Sequence, residues 1–387
     1  MNNVLNYEKL LKRQKVNIKI MIKEYEILSK LHKKETNQPE SLLKFINTQL
    51  ESINQEINNH YTFDKLNLIF NSIRNCAKHH LIGSETYAFG SRISGLALPN
   101  SDIDLYISIA GTFWGQLSND LHAQTNLVRY FAKLFGSQKY EYSQILAITA
   151  SRVPIVTFFH VPSGLYCDLS FKSGLSVYNT KLIKLYLSLD ERVNWIVCAV
   201  VKYWALQSCM KNRNMFKSYS LAWLVLFYLI VIHVIPPLMF LRRHADYSKS
   251  LTSDVMFIED WDCTFCTPEK AKQIWRVPNI SYFDLLFGFF NYYSDLNRLR
   301  KSVLCPIIGQ VIPKSDLYNI PMKKKNSEPP SETLRKLKNN FCGSGLALQD
   351  PLDLLNNITK RIRQRKLTMF SYLCNLTMEG MKNRYLN

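Results

Sequence analysis

Two aspartates one residue apart, Asp102 and Asp104, are the side chains of this sequence with the plainest chemical use. They sit in Ser101-Asp102-Ile103-Asp104-Leu105, where alternation with branched apolar residues predicts a strand. Residues two apart in a strand project from one face, so both carboxylates stand side by side while Ile103, Leu105 and Ile107 turn to a core. Adjacent carboxylates repel unless a cation lies between them. Oxygen ligands favour a hard ion, Mg²⁺ or Mn²⁺. A two-metal site needs a third carboxylate. Asp168 is the candidate, in the strand-like Tyr166-Cys167-Asp168-Leu169-Ser170-Phe171, with Cys167 and Leu169 facing the core. About ten residues before the D-x-D pair, Gly90-Ser91 follows the predicted strand Thr86–Phe89 and opens a helix. Such a turn aims backbone N–H groups and a hydroxyl at phosphates, and glycine lets the backbone come close. A lone D-x-D is common on surfaces. The combination of Gly-Ser, a short spacer, D-x-D and a distant strand Asp is what makes the signal specific.

The elements that must hold these residues are legible in outline. Residues 1–59 are rich in Lys, Glu, Asn and Leu, with apolar residues at helical spacing (Leu42, Leu43, Phe45, Ile46, Leu50). A helix is predicted over Phe63–His80. Strands are predicted at Thr86–Phe89, Ile103–Ile109, Arg152–His160 and Gly164–Phe171, with a helix at Trp114–Phe135 between them. Beyond Tyr178 the pattern is helical again, at Asn179–Leu187, Val193–Gln207, Tyr219–Ile235 and Tyr282–Leu299. Pro321–Ser331 reads as a surface loop. The implied class is α+β: N-terminal helices (1–59) partly packed on the helical domain, a small mixed-sheet catalytic domain (60–180), and a mostly helical domain (181–387).

Composition narrows the partners. The 387 residues hold 49 Lys and Arg against 30 Asp and Glu, a net charge of +19, which points to a polyanion. Lys360-Arg361-Ile362-Arg363-Gln364-Arg365-Lys366 and Lys323–Lys325 are the candidate surfaces for that polyanion, most often a nucleic acid. The apolar run Leu221–Leu241 is broken by His233 and Pro236-Pro237 before the ~20 residues that span a bilayer, so no membrane partner is expected. The start of the sequence lacks the apolar core of a secretory signal. Nine scattered cysteines, with Cys263-x-x-Cys266 alone and no second pair, read as free thiols in a reducing compartment, the cytoplasm or the nucleus.

The site pattern resembles the terminal nucleotidyltransferases of the DNA-polymerase-β-like superfamily, over residues 60–365. More narrowly it resembles the cytoplasmic poly(A) polymerases and terminal uridylyltransferases, and Gly90–Phe113 resembles the insect Tailor-type enzymes. Further segments match in family order: Asp190-Glu191-Arg192-Val193, Val201-Lys202-Tyr203-Trp204-Ala205, the helix Leu285–Tyr293, and Asp350-Pro351-Leu352-Asp353. The resemblance implies a template-independent transfer of AMP or UMP from ATP or UTP to an RNA 3′ end, with divalent cations on Asp102, Asp104 and Asp168. It implies a nucleotide held by Phe89, Gly90, Ser91, Asn179, Thr180, Lys202, Ser218, Tyr219, Asp350, Asp353 and Asn356, with Lys202 and Ser218 on phosphate and Tyr219 stacked on the base.

Three positions depart from the family pattern. Leu206 stands where a second triphosphate lysine is common, with Lys211, Arg213 or Lys217 as substitutes away from the expected turn, and Ser173 where an Asn is common. Asn356 stands where uridylyl-preferring members carry His, which tilts the expectation slightly toward ATP, while the insect resemblance over Gly90–Phe113 tilts it toward UTP. No RNA-binding module accompanies the core, which leaves target choice to a protein partner or to the N-terminal helices. A catalytically weak RNA- or partner-binding pseudoenzyme is the alternative. A synthase of free nucleotide messengers is a second rival, disfavoured by the Val201–Ala205 and Leu285–Tyr293 segments.

Overall fold

The computed structural model describes residues 39–77, 83–109, 111–212, 214–248, 253–321 and 330–385. The helical reading of residues 1–38 and the basic run Lys323–Lys325 lie outside them.

The first part of the fold comprises α1 (Pro39–His60), α2 (Phe63–Ala77), β1 (Glu85–Phe89), the short α3 (Gly90–Ser94), β2 (Ile103–Ser108), α4 (Leu121–Gly136), β3 (Tyr142–Ile148), β4 (Ile155–His160) and β5 (Leu165–Ser170). The five strands form one mixed sheet in the order β1-β2-β5-β4-β3. Only β2 and β5 run parallel; the other neighbours are antiparallel. One sheet face packs on α2 and α4 through Ile69, Ile73, Ile103, Leu105, Val128, Phe131, Phe135, Cys167 and Leu169, each 1 % exposed or less. Burying each large aliphatic or aromatic side chain in such a core contributes about 1.5–3 kcal/mol.

Two departures from the predicted elements have local causes. The segment read as one helix from Trp114 is a 3₁₀ turn at Thr112–Trp114 followed by α4. Asp120 starts the new helix by accepting a hydrogen bond from the Ala123 N–H at 2.8 Å. Strand β3 has no counterpart among the predicted elements. It is an edge strand whose solvent face carries Gln144, Leu146 and Ile148, and its register shifts between Ser143 and Leu146, with Gln144 at φ 50°.

The second part is helical: α5 (Leu175–Ser188), α6 (Glu191–Cys198, running on through a π turn at Ala199–Trp204 to Gln207), α7 (Ser218–Val231), α8 (Leu238–Arg243), a hairpin β6–β7 (Phe257–Ile258, Trp261–Asp262), α9 (Pro268–Ile274), α10 (Tyr282–Ser294), α11 (Leu296–Lys301), the strands β8 (Ser302–Cys305), β9 (Gln310–Pro313) and β10 (Ala347–Leu348), α12 (Pro330–Leu337) and α13 (Gln364–Tyr385). Asp190 caps α6, accepting from the Arg192 N–H at 2.8 Å while Arg192 Nε donates back at 2.9 Å. The apolar run from Leu221 becomes α7, in which every residue from Ser220 to Ile230 is buried. Among the described residues no helix is long and apolar enough to cross a membrane. Ile46 and Leu50 of α1 are buried in this helical core. Cys263 and Cys266 lie in the same core, and all nine cysteines are free thiols.

Candidate active site

The strand register sets the position of the acidic residues. Asp104 on β2 is paired with Asp168 on β5, and Ile103 with Cys167. Since β2 and β5 are parallel neighbours, Asp104 and Asp168 project from the same face, opposite the core-facing Ile103, Cys167, Leu105 and Leu169. Asp102 stands two residues before Asp104, just ahead of the strand. On the other side of β2, Asp104 is paired with Phe89, the last residue of β1.

Gly90 follows at once, with φ +79°. A Cβ at this position would lie 2.0 Å from Asp104 Oδ2. Only glycine both adopts this backbone and leaves the carboxylate its space. The Gly90 N–H donates to Thr180 Oγ1 at 2.8 Å, and the Thr180 hydroxyl donates in turn to the Ser176 carbonyl at 2.9 Å. Thr180 thus straps the turn to α5. Arg92, buried on α3, fastens the loop that delivers Asp102: Nη2 donates to the Pro99 carbonyl at 2.8 Å and Nε to the Ser101 carbonyl at 2.9 Å.

The electrostatics follow from this crowding. Burial pushes the Asp104 carboxyl up to about 7, with repulsion from Asp168 and then Asp102 adding to it and Lys217 opposing it. Burial, then Asp102, raises Asp168 to about 6, again against Lys217. Asp102 is raised by burial and eased by Arg92. Three carboxyl groups that resist ionisation together form a donor set suited to a divalent cation, which would relieve the repulsion. As placed, no group of three His, Cys, Asp or Glu side chains among the described residues already closes on one point, so side-chain rotation must accompany such binding.

Above Asp104 opens a cleft of about 460 Å³ between the sheet and the helical domain, with Asp102 and Asp168 outside its lining. Its lining includes Asp104 and ten of the eleven residues assigned to the nucleotide: Phe89, Gly90, Ser91, Asn179, Thr180, Ser218, Tyr219, Asp350, Asp353 and Asn356. Asn179 Oδ1 is buried without a partner, as an acceptor awaiting a ligand hydroxyl would be. Ser218 opens α7, whose N-terminus carries the positive end of the helix dipole. The Tyr219 hydroxyl donates to Asp350 Oδ2 at 3.1 Å, which fixes its ring. Asp350 Oδ1 accepts from the Leu352 and Asp353 N–H groups at 3.0 and 3.1 Å, closing the loop on itself.

Lys202 does not join them. It is 3 % exposed, absent from the cleft lining, and donates to Asn54 Oδ1 of α1 at 2.8 Å. The reason is the buried face of α6 on which it lies, against α1. Of the basic residues that could stand in for the second triphosphate lysine, the structure brings Lys217 to the cleft, together with charged groups that the sequence did not single out: Lys172, Glu259 and Arg152. Lys217 directly precedes the Ser218-Tyr219 pair, a signal in plain view but not at the helical spacing from Lys202 that a second lysine is expected to keep. Glu259 has no local signal. It sits at φ +52° in the turn between β6 and β7, its N–H donating to the Trp114 carbonyl at 2.9 Å. Its carboxylate pairs with Lys172 at 2.9 Å and accepts from the Ser173 hydroxyl at 2.5 Å.

The family described as the central palm domain of mitochondrial-like poly(A) RNA polymerase matches residues 42–188. The match spans the sheet that carries Asp104 and Asp168 and the helices packed on it. Terminal uridylyltransferase cid1 of Schizosaccharomyces pombe is 25 % identical over 311 residues, 78 % of this chain and 69 % of that protein. Poly(A) RNA polymerase cid11 of the same yeast is 27 % identical over 300 residues, 75 % of this chain and 56 % of that one. Human terminal uridylyltransferase 7 is 25 % identical over 74 % of this chain, which spans only 18 % of the human protein. Among solved structures, mtPAP in complex with ATPγS superposes with a TM-score of 0.67 at 22 % identity, covering 88 % of this chain and 70 % of the other. A Cid1 poly(U) polymerase structure with Mg and 3′-dATP gives 0.65 at 22 % identity, covering 88 % and 93 %. At that identity the structures establish the α+β fold, palm and helical domain alike.

Proposed function

We propose that this chain adds AMP and UMP units from ATP and UTP to RNA 3′ ends without a template. The observation that carries the reading is the pairing of Asp104 with Asp168 across parallel strands, beneath a cleft closed by the Gly90 turn on one side and the N-terminus of α7 on the other. Relatives named as poly(A) polymerases and as terminal uridylyltransferases support the reaction class, and the mtPAP and Cid1 complexes support nucleotides as its ligands.

In this reading Asp102, Asp104 and Asp168 hold two divalent cations, Mg²⁺ or Mn²⁺. When bound, the cations supply charge neutralisation for the triphosphate and lower the pKa of the RNA 3′-hydroxyl. The protein's own groups do the rest. Lys217, the Ser218 hydroxyl and the first turn of α7 take the phosphates. The Ser91 hydroxyl beside Gly90 meets them from the opposite wall. Asn179 accepts a sugar hydroxyl on its unpartnered oxygen. Tyr219, tethered through its hydroxyl, offers its ring to the base, an interaction worth ~1–3 kcal/mol. RNA approaches along basic surface, for which Lys360–Lys366 is the described candidate. That stretch leads into α13, and Lys360, Arg363 and Arg365 border a second cleft with Asn339, Asn340, Gly343 and Ser344. The free thiols support a reducing compartment, and we place the protein in the cytoplasm.

The placement of Lys202 against Asn54 and the uncharged Leu206 favour one second reading, a weak or inactive member of the fold that binds RNA or a protein partner. Incubation of the full chain with a short labelled RNA, Mg²⁺ and each NTP separates the two. Ladders that need the cation support the polymerase, and binding without extension supports the second reading.

A further inference from the structure

Taken alone, the asparagine at position 356 tilts the expectation toward ATP. In the folded chain it has two partners. Arg152, in the loop between β3 and β4, reaches across the cleft to the Asp350–Asn356 loop of the helical domain. Its Nη1 donates to Asn356 Oδ1 at 2.9 Å and its Nη2 to Asp353 Oδ2 at 3.1 Å. On the far side, Asn356 Nδ2 faces Asp350 Oδ2 at 3.4 Å. A guanidinium has no acceptor and a carboxylate no donor, so this order of partners fixes which end of the amide is oxygen.

The consequence is a base-reading edge in which donors predominate. Arg152 engages Asn356 Oδ1 and Asp353 Oδ2, and both Asp350 oxygens are engaged by Tyr219, Asn356 and backbone N–H groups, so that Asp353 Oδ1 is the carboxylate oxygen of this loop left open. The donors left to a ligand are the outer N–H of the Asn356 amide and the guanidinium itself, whose side chain is 68 % exposed beside the cleft. Donors meet a base that shows a carbonyl. Uracil shows O4 where adenine shows an amino group, which is itself a donor. A free asparagine can turn its amide and serve either base; one held by arginine cannot.

We infer that Arg152 is a specificity-determining residue of the nucleotide cleft, which holds the Asn356 amide with its N–H toward the base and so favours uracil over adenine. The inference rests on the reading of the cleft as a nucleotide site and deepens it. The positioning role belongs to the planar fork of arginine, which holds its Nη1 and Nη2 donors to Asn356 and Asp353 in one fixed geometry, where a lysine ammonium on its flexible stem turns freely.

The test is equilibrium binding of labelled UTP and ATP to the full chain and to R152A, R152K, N356A and the double variant R152A/N356A, followed by extension of a short RNA with each nucleotide. Because Arg152 is largely exposed, its replacement leaves the fold in place. R152A is expected to shift the UTP-to-ATP affinity ratio toward ATP by about tenfold, the factor given by ~1.4 kcal/mol. R152K is expected to shift it as far, and R152A is expected to add nothing to the ratio once Asn356 is gone. Equal loss of both nucleotides in R152A with recovery in R152K would overturn the inference, leaving Arg152 a plain positive charge. So would an unchanged ratio. Extension failing in the wild type while the affinity ratio still moves would count against the catalytic reading alone.

Discussion

Asp104→Asn should make this protein more stable at pH 8, although the residue lies at the centre of the site. The carboxyl is held at about 7 instead of the ordinary 3.8, chiefly by burial and then by repulsion from Asp168 and Asp102. An acid raised on folding binds its proton more tightly in the folded chain. Below about pH 4 both states are protonated and the group contributes nothing to the pH dependence. Between about 4 and 7 the unfolded chain ionises while the folded chain does not, so stability falls as pH rises; above 7 the loss is complete. Some three pH units at ~1.4 kcal/mol each make the penalty roughly 4 kcal/mol. The near-isosteric amide removes the charge and keeps the shape that Gly90 accommodates. Urea denaturation of wild type and variant from pH 4.5 to 8.5, without divalent cations, reads the effect. The stability difference should grow in favour of the variant through this range and level off above pH 7. Added Mg²⁺ should then stabilise the wild type, through binding to the ionised folded form, more than the variant. A variant less stable than wild type at pH 8, or a difference independent of pH, would refute the account of Asp104 as a crowded, frustrated carboxylate.

Other expectations are sharper for being local. Gly90→Ala forces a left-handed backbone costing ~1–2 kcal/mol and sets a methyl against Asp104 Oδ2; extension should fall at least a hundredfold in single-turnover assays while the circular dichroism spectrum is kept. Lys217→Met removes a charge-assisted hydrogen bond to phosphate of ~1.5–3 kcal/mol and should raise the NTP dissociation constant by about 10- to 100-fold for ATP and UTP alike, as read by labelled-nucleotide binding. Lys172→Met leaves Glu259 unpaired where both side chains are largely buried; the denaturation midpoint should drop by an amount equivalent to ~3–5 kcal/mol, and the double change with Glu259→Gln should recover much of it. Replacing Arg363 and Arg365 by Gln should reduce the slope of log affinity for single-stranded RNA against log salt by ~0.7 for each phosphate no longer neutralised, and an unchanged slope would remove that surface from the RNA path.

The acidic cluster and its Gly90 turn are legible in the sequence because their signals are local and periodic. Alternation in Ile103–Ile107 and Tyr166–Phe171 marks the strands and the facing of the aspartates, and glycine at position 90 marks a backbone that other residues avoid. The helical elements read well where apolar runs are long, as in α7, whereas the single helix expected over Tyr282–Leu299 is broken at Asp295, which caps α11 by accepting from the Arg298 N–H at 3.0 Å. The illegible parts depend on pairings between distant segments. The family pattern assigns Thr180 to the nucleotide, yet its hydroxyl is spent on the Gly90 N–H. The same pattern assigns Lys202 to phosphate, but the packing of α1 on α6 gives it to Asn54. Glu259 enters the cleft from a short hairpin with no periodicity to betray it. The Asn356 side chain can be placed in the loop that begins at Asp350 from sequence, but its partner Arg152 lies 204 positions away.

The central claim is that Asp102, Asp104 and Asp168 act together on a nucleotide and an RNA end. The most direct measurement is single-turnover extension of a short labelled RNA by the wild type and by Asp102→Ala, with Mg²⁺ and each NTP in turn. The account predicts cation-dependent lengthening of the RNA by the wild type with ATP or UTP, and none by a variant that remains folded. Lengthening by Asp102→Ala at the wild-type rate, or product released as free dinucleotide with the RNA unchanged, would contradict it.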